Sequence, residues 1–321
     1  MRAVDGPIAV SVVVASHARE LRLRWLLNAL EEQTFADPWE LLIVHGYDAP
    51  TAERVIERHP LAATRPVRSI TGGGSPARQR NIGWRAARAP LIAFIDDDCR
   101  AERDWLERLV SAARENPGHV IQGRTRPDPL EEEVLKAPHV RTLDIEPVNS
   151  YRETCNILYP RELLGRLDGF DERAITGEDV DLSLRAIAAG AQISAAPDAV
   201  AYHAIESFTL PGILRQNLKW RHLAYLVKQH PELRAQFPLR IFWDEDHLLV
   251  TAAAAGVVAA RRHPWLIALA APYVRKASRR RGGRGRDRAV ALAELPGQAV
   301  RQFGEVLGMA AGSVRHGTLL L

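Results

Sequence analysis

Two carboxylate clusters are the residues most able to do chemistry: Asp96-Asp97-Asp98 and, far downstream, Glu178-Asp179. Three adjacent aspartates cannot all stay ionised in a small space without compensation, because like charges raise one another's pKa. A divalent cation resolves this. Hard oxygens suit Mg2+ or Mn2+, which bind one or two protein carboxylates and take the rest of their shell from substrate phosphates. A diphosphate ligand is therefore expected at the triplet; the alternative is an exposed acidic turn capping the next helix. Glu178-Asp179 is independent of that site and can supply a base to take the proton of an acceptor hydroxyl, worth roughly 10²- to 10⁴-fold. Its alternative is a capping pair at a helix N-terminus.

The elements that must position these residues follow from periodicity. Ile8 to Ala15, Leu41 to Val44 and Val67 to Ile70 are short apolar runs, and leucines recur at helical spacing through Leu21, Leu26, Leu27 and Leu30. Ala52 to Arg58 suits a helix, Ser75-Pro76 opens another, and Leu91 to Ile95 is a strand running directly into Asp96. Strand–helix alternation implies an α/β fold with a mostly parallel sheet, and ligands of such sheets collect beyond the carboxyl ends of the strands. Helices are further expected over Trp105 to Ala113, Pro160 to Leu167, and from Glu178 to near Gly190; Thr125 to Ser150 reads as an irregular surface excursion.

The motifs together resemble glycosyltransferase family 2, the inverting GT-A type, over about residues 8 to 230. Val10-Ser11-Val12-Val13-Val14-Ala15-Ser16-His17-Ala18-Arg19 is similar to that family's first strand and nucleotide-contacting loop, Ala77-Arg78-Gln79-Arg80-Asn81-Ile82-Gly83 to its Arg-Asn-x-Gly helix, and Phe94-Ile95-Asp96-Asp97-Asp98 to its metal motif. Gly169-Phe170-Asp171-Glu172 followed by Gly177-Glu178-Asp179-Val180-Asp181 resembles its acceptor and base segment. The resemblance implies a GT-A, Rossmann-like sheet flanked by helices, with a nucleoside-diphosphate sugar as donor and a hydroxyl on a glycan or lipid-linked acceptor. It implies Asp179 as base, Glu178 and Asp181 at the acceptor, Asp98 on the metal, and Ser16, Arg19, Arg80, Asn81, Asp96 and Asp97 around the donor. His203 falls where GT-A enzymes place a further metal or phosphate contact; a histidine ending a strand is also commonly structural. One departure concerns the base: the usual aspartate-rich turn is replaced by Val44-His45-Gly46-Tyr47-Asp48, leaving Asp48 or the Tyr47 ring as substitutes. Gln216-Asn217-Leu218-Lys219-Trp220 is similar to a Gln-x-x-Arg-Trp motif of processive synthases, but the long membrane helices of those enzymes are absent, so a coincidental amphipathic helix is the preferred reading.

At 321 residues, 46% hydrophobic and 26% charged, the chain is an ordinary globular one, divided here into a catalytic domain over 1–230 and a helical extension over 231–321. Two alternative functions are a non-catalytic nucleotide-sugar-binding module and a sugar nucleotidyltransferase; the latter lacks its usual glycine-rich basic loop after Val14. Cys99 and Cys155 sit in no zinc or disulfide spacing, and the N-terminus lacks a signal-peptide pattern, so a cytoplasmic setting is expected. Leu248 to Ala260 and Pro264 to Val274 are apolar, and Arg275, Lys276, Arg279, Arg280, Arg281, Arg284, Arg286 and Arg288 follow. Either an interfacial hairpin on an anionic membrane, at the inner face of the plasma membrane, or a packed helical hairpin fits this pattern. Nucleic acid is disfavoured, because the basic stretch carries no stacking aromatics.

Overall fold

The structure is a computed structural model that describes residues 6–17, 19–279 and 285–321. Arg280, Arg281 and Arg284 of the basic run lie outside the described residues. The chain divides into two compact units, Met1–Lys136 with Arg141–Glu206 and Ala137–Val140 with Ser207–Leu321. The sequence placed the change at residue 230.

The first unit is built on eight strands: β1 (Val10–Ser16), β2 (Trp39–His45), β3 (Val67–Thr71), β4 (Leu91–Ile95), β5 (Cys99–Ala101), β6 (Val120–Pro127), β7 (Asn156–Pro160) and β8 (Ile193–His203). They form one sheet in the order β3-β2-β1-β4-β7-β6-β8-β5. The sheet is mixed. β1 runs parallel to β2 and β4, β2 to β3, and β6 to β8, whereas β7 is antiparallel to both β4 and β6 and β5 is antiparallel to β8. The parallel half reads as continuous apolar runs because both faces are covered: every residue of β2 is buried, and so are all of β1 but Ala15. One face packs on Leu23, Leu26, Leu27 and Leu30 of helix α1 (Glu20–Glu31) and on Trp105, Leu106 and Leu109 of a second helix; the other carries Trp84, Phe94 and Phe170.

Helix α2 (Pro76–Ala86) starts as the Ser75-Pro76 pair predicts, with Ser75 Oγ accepting from Arg78 N and proline at the first helical position. It lies directly on β1: a Cβ on Gly83 would come within 2.4 Å of Val13 Cγ1. Helix α3 (Glu178–Ala188) follows Gly177, whose φ of 80° is the left-handed conformation glycine adopts without strain. Cys99 and Cys155 are free, buried thiols.

In the second unit, the Gln216–Trp220 stretch ends a helix (Leu210–Asn217) and enters a 3₁₀ turn (Leu218–His222), where Trp220 packs edge-on against Trp243 and His247. The two apolar runs form a helix, Glu245–Ala259, a 3₁₀ segment, Pro264–Ala270, and a short helix, Ala271–Ala277. Among the described residues, no helix is long and apolar enough to cross a membrane.

Candidate active site

The aspartate triplet leaves the C-terminal end of β4, next to the loops that leave β1 and β2. Asp97, buried, is held by that first loop: Ser16 Oγ donates to it at 2.7 Å, His17 N at 3.3 Å and Arg19 at 3.3 Å. Burial pushes the Asp97 carboxyl up to about 7, with Arg19 opposing and Asp98 adding to the rise. Tyr47 joins the same knot, its hydroxyl 2.8 Å from Ser16 Oγ and accepting from Arg19 N at 3.2 Å. Asp48 is exposed and caps the next turn by accepting from Thr51 N at 2.9 Å. Of the two substitutes for the aspartate-rich turn, Tyr47 is the one hydrogen-bonded to the Ser16–Arg19 loop. Gln79, to which the sequence assigned no role, donates to both Ser16 O and Gly72 O and so ties the β1 and β3 exits together.

Asp98 is buried and pairs through one oxygen with the Arg19 guanidinium. Its other oxygen, Oδ1, has no hydrogen-bond partner and faces His203 Nε2 at 3.7 Å. The His203 ring is oriented by Nδ1, which donates to the Ala204 carbonyl at 2.8 Å, so that in the neutral ring the lone pair is on Nε2. That is the arrangement of a metal-binding histidine, whose second nitrogen donates to a carbonyl or carboxylate. Burial raises the Asp98 pKa and His203 opposes the rise. No set of three or more His, Cys, Asp or Glu side chains converges as a metal cage among the described residues. A cation held by Asp98 and His203 would thus complete its shell with phosphate oxygens and water, as Mg2+-type sites do.

Arg80 joins the two carboxylate clusters. It is buried on α2, and it donates from one nitrogen to Asp96 at 2.8 Å and from another to Glu178 at 2.8 Å. Burial alone would lower its pKa, but Asp96 and Glu178 outweigh burial and the net shift is upward, so the guanidinium is permanently charged. Asp96 and Glu178 are consequently separated by no more than one guanidinium and two hydrogen bonds. Asp179, beside Glu178, accepts from its neighbour Val180 N at 2.9 Å. Burial first, and then the adjacent Glu178, push its carboxyl up to about 8, which Arg80 only partly offsets. A carboxylate near pH 7 in pKa is matched to proton abstraction.

Two of the expected ligand-binding residues, Asn81 and Asp181, make hydrogen bonds that tie neighbouring elements together. Asn81 accepts from Trp84 Nε1 and Phe170 N, both at 2.9 Å, and donates to Phe170 O and Glu172, so its amide holds the Gly169–Glu172 turn to α2. Asp181 binds Arg185 at 2.7 Å, and Arg185 donates onward to Leu167 O and Gly169 O on the same turn. A cavity of about 970 Å³ on this unit, lined by Trp25, Arg100, Glu102 and Tyr202 among others, contains none of the predicted site residues. Arg100 and Tyr202 are register partners one residue from the Cys99–His203 pair, hence on the opposite face of the sheet from His203.

Comparison with known proteins decides the relationship. The profile of Glycosyl transferase family 2 matches residues 11–166, and that of Glycosyl transferase family group 2 matches residues 91–272, more than half of the chain. The chain belongs to glycosyl transferase family 2. Among curated members it is 30% identical over 178 residues to the pre-mycofactocin glycosyltransferase of Mycobacterium tuberculosis, covering 50% of this chain and 36% of that protein. It is 24% identical over 172 residues to the poly(ribitol-phosphate) beta-N-acetylglucosaminyltransferase TarS of Staphylococcus aureus, covering 48% of this chain and 30% of that one. The chain thus spans about a third of the length of these relatives. Its fold matches the mannosyltransferase PcManGT from Pyrobaculum calidifontis in complex with GDP-Man and Mn2+ (TM-score 0.56, 18% identity, 98% of this chain and 88% of the other). It also matches S. aureus TarS in complex with UDP-GlcNAc (TM-score 0.53, 16% identity, 97% and 93%). The family's GT-A architecture is the fold seen here.

Proposed function

We propose that this family 2 member transfers a glycosyl group from a nucleoside-diphosphate sugar to an acceptor hydroxyl, with inversion, using Asp179 as base. The observation that carries the reading is Arg80, which ties Asp96 of the donor-side triplet to Glu178 beside the proposed base. Family membership and the nucleotide sugars bound in two fold relatives support the donor class.

In this reading the Ser16–Arg19 loop, Tyr47 and Asp97 bind the nucleotide end, and Asp98 and His203 would hold Mg2+ or Mn2+. The buried Asp98 oxygen without a partner and His203 Nε2, 3.7 Å from it, fit such an ion. When bound, the ion supplies stabilisation of the negative charge that grows on the departing diphosphate. Arg80 bridges Asp96 and Glu178 and fixes both carboxylates. Asp181, through Arg185, and Asn81 hold the 167–172 turn against α2 and α3, which shapes the acceptor side. Asp179 takes the proton of the acceptor hydroxyl as that oxygen bonds to the anomeric carbon, and the carbon–diphosphate bond breaks on the opposite side.

A glycan or lipid-linked acceptor of the cell envelope, met at the inner face of the plasma membrane, is the acceptor class proposed; the buried free thiols support a reducing, cytoplasmic setting. Incubating the protein with a panel of nucleoside-diphosphate sugars and Mn2+ tests the reaction class. Release of nucleoside diphosphate is expected; release of pyrophosphate would identify a nucleotidyltransferase, and no turnover of any donor a non-catalytic module.

A further inference from the structure

The C-terminal hairpin has a face that a water-soluble surface does not need. Its helix, Glu245–Ala259, turns His247, Val250, Ala253 and Gly256 inward, at the spacing of one helical face. Gly256 fixes the fold of the hairpin, because a Cβ there would meet Leu266 O at 2.6 Å and Leu269 Cβ at 2.9 Å. The returning segment, Pro264–Ala270, buries none of its own residues. Trp265 is 72% exposed, Val258 65%, Val257 54% and Ile267 52%. Between these apolar groups, at the turn, Arg261, Arg262 and His263 are all exposed.

The charge of the stretch is one-sided. From His247 to Arg286 the sequence contains no Asp or Glu, while Arg or Lys stands at 261, 262, 275, 276, 279, 280, 281, 284 and 286. Lys276 is engaged by Glu245 and, at 3.1 Å, by Asp246, which lie before the stretch. The arginines at the turn flank the exposed tryptophan and valines directly in sequence.

We propose that this hairpin docks on an anionic lipid bilayer, with Trp265, Ile267 and Val258 seated at the boundary of headgroups and acyl chains and Arg261 and Arg262 on lipid phosphates. Apolar residues around a tryptophan, bordered by arginines, are what an interfacial element requires, since burial of apolar area and attraction to anionic lipid add. Nucleic acid would engage the arginines but gains nothing from exposed valine and isoleucine. The helix spans about 22 Å at about 1.5 Å per residue, against a hydrocarbon core of about 30 Å, so the element lies in the interface rather than crossing it. The proposal concerns binding alone and does not rest on the catalytic reading.

Co-sedimentation of the full chain with vesicles of phosphatidylcholine, and of phosphatidylcholine mixed with phosphatidylglycerol, tests it. Binding to the mixed vesicles only is expected. Arg261→Ser with Arg262→Ser should weaken it about 30-fold, from about 1 kcal/mol for each basic residue near an anionic surface. Trp265→Ser with Ile267→Ser should remove quenching of tryptophan fluorescence by bromine-labelled lipid, with an unchanged circular dichroism spectrum as the control for folding. Absence of binding to the mixed vesicles, or binding unaffected by both double variants, overturns the proposal. So does a concentration-dependent dimer, measured by light scattering, that disappears with Trp265→Ser and Ile267→Ser while vesicles are not bound: that result gives the face to a second copy. Neither failure alters donor turnover by the first unit.

Discussion

Asp179→Asn separates the proposed base from everything else in the site, because among the described residues the hydrogen bond seen at the Asp179 carboxylate is from Val180 N, which an asparagine oxygen can also accept. Loss of a positioned base costs about 10²- to 10⁴-fold in kcat, with donor affinity unchanged. The raised pKa gives the wild type a signature. A base acts when deprotonated, so with a carboxyl pushed up to about 8, kcat should climb about tenfold per pH unit below pH 8 and level off above it. The stability effect has the opposite direction from the activity effect. Asp179 has a folded pKa above its unfolded value, so its ionisation disfavours the folded state; that cost is absent below the unfolded pKa, grows as pH rises from about 4, and is complete above pH 8. Removing the charge should therefore stabilise the protein at neutral pH. A gain of about 1–2 kcal/mol, well short of the full shift because the residue is partly exposed, corresponds to roughly 2–8 °C in Tm. Steady-state kinetics from pH 6 to 9 on wild type and variant, with thermal melts at pH 5 and 8, measure all three effects. Retention of activity within tenfold, a wild-type profile flat from pH 6 to 8, or a lower Tm at pH 8 would refute the assignment.

Asp98→Asn and His203→Ala should each abolish diphosphate-dependent binding of Mn2+, read by electron paramagnetic resonance, while Asp179→Asn should bind the ion normally. Arg80→Met leaves Asp96 and the buried Glu178 without their common partner; breaking a buried pair by removing one side costs about 3–5 kcal/mol, visible as a fall in the urea midpoint together with loss of turnover. Asn81→Ala frees the Gly169–Glu172 turn and strands its backbone groups, so a loss of about 1–3 kcal/mol in stability and a higher acceptor KM are expected, with donor KM unchanged.

The parallel half of the sheet was legible in the sequence because its strands are short apolar runs punctuated by helices: Val10–Ser16, Trp39–His45, Val67–Thr71 and Leu91–Ile95 all appear where periodicity puts them. The antiparallel half was not. β7 inserts between β4 and β6, and β5 pairs with β8 across about a hundred residues of chain, and no local pattern encodes such pairings. The Thr125–Ser150 excursion begins later than expected, since β6 continues to Pro127 under the pull of its pairing with β8, and a 3₁₀ helix occupies Pro129–Lys136. At the site, residue types indicated which groups carry charge, but not which of them face one another. Arg80 and Asn81 are adjacent and were assigned one role, yet helical geometry turns Arg80 to the carboxylates and Asn81 to the 169–172 turn. Gln79 carried no chemical signal of its own, and its bonds to two loop carbonyls emerge only once the β1 and β3 exits are side by side.

Direct observation of the anomeric carbon tests the whole arrangement. With an α-linked nucleoside-diphosphate sugar that the protein turns over and water as acceptor, proton NMR in the first moments of reaction, before mutarotation, should show the β anomer of the free sugar together with nucleoside diphosphate. The α anomer appearing first would mean that attack does not come from the Asp179 side against a leaving group held at Asp98, and would contradict the account.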